Sequence, residues 1–228
     1  MNLAVKIALP IGALASCVAI AQTDVAREHL TKHAEVFKSY ALPARSPRLE
    51  DLQPNPQGII QTNRVDILDY MVPDPAVTET QELKGLAGRF DAILSGTTTN
   101  RYSAIDPTHT FLYSDWIVKV NKVYKNTSTM QAGSEITVTR LGGDLNVNGK
   151  HIIDKEPSFP EFSLNHLYLF CLKALPDTSS FLALGGATFD VTGATPVLLT
   201  DPRDPTKMRV FSSRPTAAFL AAVEGSLQ

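Results

Sequence analysis

The chain has 228 residues, a net charge of −2, 43% hydrophobic residues and 19% charged ones. That is enough apolar material for one packed domain with an extension, and too few charges for wholesale disorder. The near-neutral balance supplies no basic field for nucleic acid or for an anionic membrane surface.

Residues 1–21 read as a signal peptide. Lys6 and the α-amino group give a positive start, and the uncharged run over 7–21 is broken only by Pro10 and Gly12. A transmembrane helix needs ~20 apolar residues, so this run fits a secretory h-region better than a span. Ala19-Ile20-Ala21 forms a small-x-small cleavage site before Gln22, which would free a soluble protein with no transmembrane helix. Leu14-Ala15-Ser16-Cys17 offers the alternative, a bacterial lipobox that would leave a lipid anchor on Cys17. Both readings export the chain to a secreted or periplasmic location. The apolar run continues past Cys17, which favours cleavage after Ala21.

Residues 22–87 are expected to form an N-terminal helix and a proline-rich arm. The helix is predicted over 23–40, with Val25, Leu30, Ala34 and Phe37 along one side. His29 and His33 share a face at i, i+4, but no HExxH surrounds them, and solvent-facing imidazoles are the simpler reading. Six prolines between Pro43 and Pro75 predict an extended arm, docked by Val65, Ile67, Leu68, Tyr70 and Met71. One or two helical turns are expected over 78–86.

Residues 88–228 change to strand texture. A first strand is predicted over 90–98, with Phe90, Ala92 and Leu94 on one side, and a long second one over 110–124. Trp116, Val118 and Val120 share a face there, but Val123 is one residue out of phase, which predicts a bulge near Asn121-Lys122. A third strand is expected over 135–141. The run 166–172 is apolar on both faces and suits a central, covered strand. Strands over 181–184 and 188–191 flank Gly185-Gly186, and a late hairpin is expected from 196–199 and 208–211. A helix over 215–227 closes the chain, capped by Ser213, with Leu220, Val223 and Leu227 inward. Short strands between two terminal helices imply a mainly β fold, a small Greek-key barrel or sandwich.

Several residue groups bear on chemistry. Asp144, Asn146 and Asn148, followed by Gly149, match the first half of a calcium loop. Lys155 stands where its bidentate glutamate should be, and a hairpin turn at Asn148-Gly149 is the favoured reading. No other cofactor is implied. Gly143, Gly149 and Lys150 have the wrong spacing for a phosphate loop, and His151 replaces its Ser or Thr. A dispersed triad would draw on Ser114, His109 or His166, and Asp115, but Ser114 and Asp115 point to opposite faces of a strand and Asp115 reads as a surface carboxylate. Asp66 and Asp69 pair at i, i+3 on a poor scaffold, and Asn126-Thr127-Ser128 is a formal glycosylation sequon. Cys171 sits in an apolar run and reads as a small buried hydrophobe.

The stretch Tyr113-Ser114-Asp115-Trp116-Ile117-Val118-Lys119-Val120 leads on to Val123-Tyr124-Lys125. After it come GSEITVTRLGG over 133–143, Tyr168-Leu169-Phe170, and the segment 182–186. Together they resemble uncharacterised exported bacterial proteins with an OB-like or netrin-module-like barrel, over residues 88–191. The resemblance implies the fold and transfers no catalytic residue. Netrin-like inhibitors of metalloproteases use an N-terminal cysteine, which this barrel lacks.

The expectation is therefore an exported, non-catalytic OB-like barrel binding a protein, peptide or envelope component. Lys125, the 141–160 loop and within it Asp144, Lys150 and His151 are the candidate binding residues. The alternatives are a secreted hydrolase with a dispersed site, and a calcium-binding exported domain.

Overall fold

The computed structural model describes residues 47–63, 78–126, 130–156, 159–175, 179–199 and 214–227. The leader, the 23–40 helix with His29 and His33, the 65–71 patch with Asp66 and Asp69, the 208–211 strand and Ser213 lie outside them. So do Thr127 and Ser128 of the sequon.

Eleven elements follow in order: β1 (Ile59–Asn63), α1 (Glu79–Arg89), β2 (Ala92–Ile105), β3 (Leu112–Lys125), β4 (Glu135–Leu141), β5 (Gly143–Val147), β6 (Lys150–Lys155), β7 (Leu167–Ala174), β8 (Ser180–Asp190), β9 (Val197–Leu198) and α2 (Thr216–Ser226). A 3-10 turn, Leu49–Asp51, precedes them. The main sheet runs β4-β3-β2-β7-β8-β9, and β4 also pairs with β8 in parallel. Five strands thereby close into a ring. Three successive antiparallel strands with the next one returned beside the first make this a Greek key, the barrel class expected. β1, β6 and β5 form a separate three-stranded sheet.

Alternation along the strands sorts the core. Ala92, Leu94, Trp116, Val118, Val138, Tyr168, Phe170, Leu172, Phe181 and Ala183 fill the barrel interior. Ile93, Leu169, Cys171 and Phe189 face outward and are covered by Leu83 and Leu86 of α1 and Phe219 and Val223 of α2. That cover explains why β7 is apolar on both faces. Phe219 is the fully buried anchor of α2, with Leu220 and Leu227 packed beside it.

The bulge falls where the phase slip placed it. Ser95 pairs with Lys122 and Gly96 with Val120, so Asn121 is the extra residue. α1 is longer than expected, three turns opened by a reciprocal Thr78–Gln81 capping box. Phe90 does not share a face with Ala92 and Leu94. It is the C-cap of α1 and packs with Ile93 on the helix side. β2 runs on to Ile105 because β3 pairs with it throughout, a support that its polar run of threonines and Asn100 conceals. β8 is a single strand across Gly185-Gly186; its pairing with β7 jumps from Thr188 to Ala183, with Gly186 at φ +74°.

Most of the expected 141–160 loop, residues 143–155, is strand and tight turn. β5 and β6 are a hairpin closed by Asn148 (φ +50°) and Gly149 (φ +78°), the left-handed pair that a two-residue turn needs. Part of the arm packs as structure too. β1 adds to β6 in parallel, and Leu49 and Ile60 join Leu112 and Ile152 in a small fourth core.

Candidate functional site: the barrel mouth

The segment between β6 and β7 plugs one end of the barrel with aromatic rings. Phe162 is the hub, with Trp116 at 5.3 Å, Phe170 at 5.4 Å and Phe159 at 5.6 Å, all edge-on, and Tyr168 tilted at 5.1 Å. Edge-to-face contact is the favoured geometry for such rings, so the plug is a specific packing rather than a loose fill.

Two arginines border it. Arg140, at the end of β4, is 3% exposed; its guanidinium lies 4.6 Å over Phe159 and donates to the Phe159 carbonyl. Arg101, on the β2 extension, lies 5.7 Å over Trp116 and pairs with Asp144 of β5 at 3.1 Å and with Glu161 of the plug. Burial opposes its charge, but Glu161 and Asp144 outweigh that and hold the guanidinium's pKa above the usual value. Arg101 thus ties three elements together: barrel, side sheet and plug.

Beside Arg140 opens a cleft of about 290 Å³, lined among others by Arg140, Asp144, Asp154, Lys155, Glu156, Phe159 and Glu161. Glu156 is 5% exposed, whereas Asp144 and Glu161 retain roughly half their side-chain surface in solvent. The cleft therefore has buried charged groups, Phe159 as its aromatic lining, and half-buried Asp144 with exposed Glu161 and Lys155 around it.

The side sheet reaches the barrel through a close contact. Ser114 Oγ sits 3.1 Å from Ser103 Oγ and donates to the Gly142 carbonyl at 2.8 Å. A Cβ on Gly143 would stand 2.3 Å from Ser114 Oγ, and one on Gly142 would stand 2.8 Å from the Asp154 carbonyl oxygen. Two consecutive glycines are needed here for approach, and Gly142 also for its φ of +88°.

The residues singled out in the sequence are dispersed over this framework. Of the candidate metal and binding residues only Asp144 lines the cleft, with Gly143 and Lys155 beside it. Asn146 lies on β5 and Asn148 in the turn, so the D-x-N-x-N-G run is strand and hairpin rather than an ion-wrapping loop, with the Asp144 carboxylate on Arg101. Among the described residues no three His, Cys, Asp or Glu side chains are grouped to hold a metal. Lys125 is a helix cap: its Nζ donates to the carbonyls of Ala87 and Phe90, both at 2.6 Å, at the negative end of α1. Lys150 donates to the Glu50 carbonyl at 2.5 Å, and half-buried His151 pairs between Ile59 and Asn146.

The triad candidates do not converge. Ser114 is fully buried against Ser103 and Gly142. Asp115 is buried rather than on the surface, accepting a hydrogen bond from Thr139 Oγ1. His109 pairs with Glu50 at 2.6 Å, and His166 with Asp190 at 2.8 Å. Cys171 is buried as read, and burial pushes its thiol up to about 12, so it stays protonated. Sequence reading missed Arg101, Arg140, Phe159, Glu161 and Phe162. The one available signal was Phe159-Pro160-Glu161-Phe162, two rings at i, i+3 within a segment otherwise read as loop.

Fold and cleft together define a closed five-stranded Greek-key barrel with a three-stranded side sheet and two covering helices. No protein-family model matches the chain, and no curated protein matches it.

Proposed function

We propose that this chain is an exported, non-catalytic binding module that takes a protein, peptide or envelope component at the barrel mouth. The observation that carries it is the Arg101 junction, where one guanidinium holds both Asp144 and Glu161, two carboxylates that line a cleft together with Phe159. Barrel mouths with a few convergent polar groups on apolar walls are common ligand positions. Asp144 and Glu161 favour partners that present Lys or Arg, since each carboxylate offers a site for exchange with Arg101.

Export rests on the leader. Cleavage after Ala21 frees the protein, and lipidation of Cys17 is the rival outcome; the intact mass of the exported chain separates them. Among the described residues no helix is long and apolar enough to cross a membrane. The binding site is tested by panning a random peptide library on the wild-type chain and on the Asp144→Lys/Glu161→Lys variant. A basic consensus on the wild type alone supports the reading. No consensus, or the same one on both, sinks it. Removing 141–160 is a poor test, because it deletes β5 and β6 with their share of the core.

A second reading, a hydrolase, is favoured by one observation. Asp190 holds His166 Nδ1 at 2.8 Å and the ring is 41% exposed, the orientation that presents Nε2 as a base. Loss of turnover of an activated ester in His166→Ala would support it, and turnover unchanged by the substitution would dismiss it.

A further inference from the structure

The arm strand β1 sits in a seat built almost wholly by the rest of the chain. Its five residues pair in parallel with β6, Ile60 opposite Ile152 and Thr62 opposite Asp154. The seat is rigid. Ile152 and Leu112 have no exposed surface, and Asp154 is 2% exposed, its Oδ2 taking the Leu112 amide at 3.0 Å. Asp154 Oδ1 takes the Thr62 hydroxyl at 2.6 Å.

The occupant, by contrast, is thin. Of residues 47–62 only Leu49 and Ile60 are buried, and most of the others are exposed. Half-buried Leu52 packs beside them, and the remaining ties are polar. Leu49 donates its amide to the His109 carbonyl at 2.8 Å, Glu50 stands 2.6 Å from His109, and Lys150 holds the Glu50 carbonyl at 2.5 Å. Segments with few buried apolar contacts and exposed backbone open at free energies well below that of the whole domain.

We propose that residues 47–63 are a displaceable strap, occupying from within the chain an acceptor edge on β6 for an extended peptide. Strand addition takes its affinity from main-chain hydrogen bonds and its specificity from alternate side chains. Here the alternate positions ask for a branched apolar residue in place of Ile60, meeting Leu112 and Ile152. They ask for a Ser or Thr two residues later, meeting Asp154. The strap masks the edge, so the apparent affinity of a partner falls by the fraction of time the strap is open. This rests on the binding reading above, and β6 borders both places through Asp154, so the Asp144→Lys/Glu161→Lys variant is needed to tell the two failures apart.

The test uses the full chain, the Glu50→Ala variant and an Ile60→Asp variant that dislodges the strap directly. The probe is a labelled peptide copying residues 55–63. Amide exchange of β1 is expected to accelerate at least ~10-fold in both variants with β7 and β8 unchanged, and the peptide to bind both variants at least ~10-fold more tightly than the wild type. A peptide with Asp at the Ile60 position, or Val at the Thr62 position, should bind more weakly. Exchange of β1 that stays as slow as the barrel's in both variants overturns the strap. Acceleration without peptide binding overturns the acceptor edge. The Asp144→Lys/Glu161→Lys variant should take the peptide like its parent, and loss of binding there would move the site back to the barrel mouth.

Discussion

Trp116→Ala tests the plugged barrel most directly. The indole is 2% exposed, meets Phe162 edge-on at 5.3 Å and lies under Arg101. A buried ring of this size removes ~150–250 Å² from water. At ~25 cal/mol per Å² that is ~4–6 kcal/mol. The Phe162 contact adds ~0.5–1.5 kcal/mol. Against this, the buried Nε1–H has no acceptor among the described residues, an omission that costs ~1–3 kcal/mol. The net expectation is a loss of ~3–5 kcal/mol, the usual range for emptying such a site. Trp116→Phe should cost less than half as much, because it keeps a ring against Phe162 and discards the unmet donor. Urea titration followed by far-UV circular dichroism is the assay, since Trp116 is the only tryptophan and either variant loses its fluorescence. A loss below ~1 kcal/mol for the alanine variant would put the ring outside the core. A phenylalanine variant as unstable as the alanine one would refute the role given to the N–H.

Gly142→Ala combines a φ of +88° with a Cβ 2.8 Å from a backbone oxygen, and should cost ~1–3 kcal/mol in the same titration; a change within ~0.5 kcal/mol would mean the joint relaxes freely. Burial works against the Glu50 carboxylate, but its own backbone amide and the neighbouring His109 and Arg48 outweigh it and lower its pKa below 4.5. A lowered folded-state value means stability present above 4.5 and lost as pH falls through the folded value. Glu50→Gln should therefore flatten the acid limb of stability against pH below that point, and an unaltered limb would dismiss the linkage. Millimolar calcium should leave the melting temperature unchanged, since a ligand of the folded state raises it by mass action. A rise of several degrees would return Asp144, Asn146 and Asn148 to consideration as ligands.

Features set by local chemistry were legible in the sequence. The Asn121 bulge followed from a phase slip, the Asn148-Gly149 turn from left-handed tolerance, and the buried β7 from apolar residues on both faces. What escaped was tertiary in origin. Lys125 looked like a loop-end charge because the helix end it caps lies 35 residues upstream. Asp115 looked exposed because its cover is not encoded next to it. The parallel pairing of β1 with β6 joins positions 92 apart, as Thr62 and Asp154 are, and no periodicity within a five-residue strand announces a partner so distant. The cleft was hidden for the same reason. Arg101, Asp144 and Glu161 come from three elements, and nothing in their spacing brings them together.

The closure of the barrel through β4 and β8 has a consequence for how the chain reaches its native state. Only three residue pairs make that joint, Thr137 with Ser180 through Thr139 with Leu182. Contacts so far apart in sequence reward the chain only after a long loop has closed, which slows folding. Until β8 arrives, β4 and β7 each present a bare edge with main-chain groups open to another molecule. Dilution and temperature during refolding should thus govern yield more strongly than the final stability does, because the vulnerable species is the ring one strand short of complete.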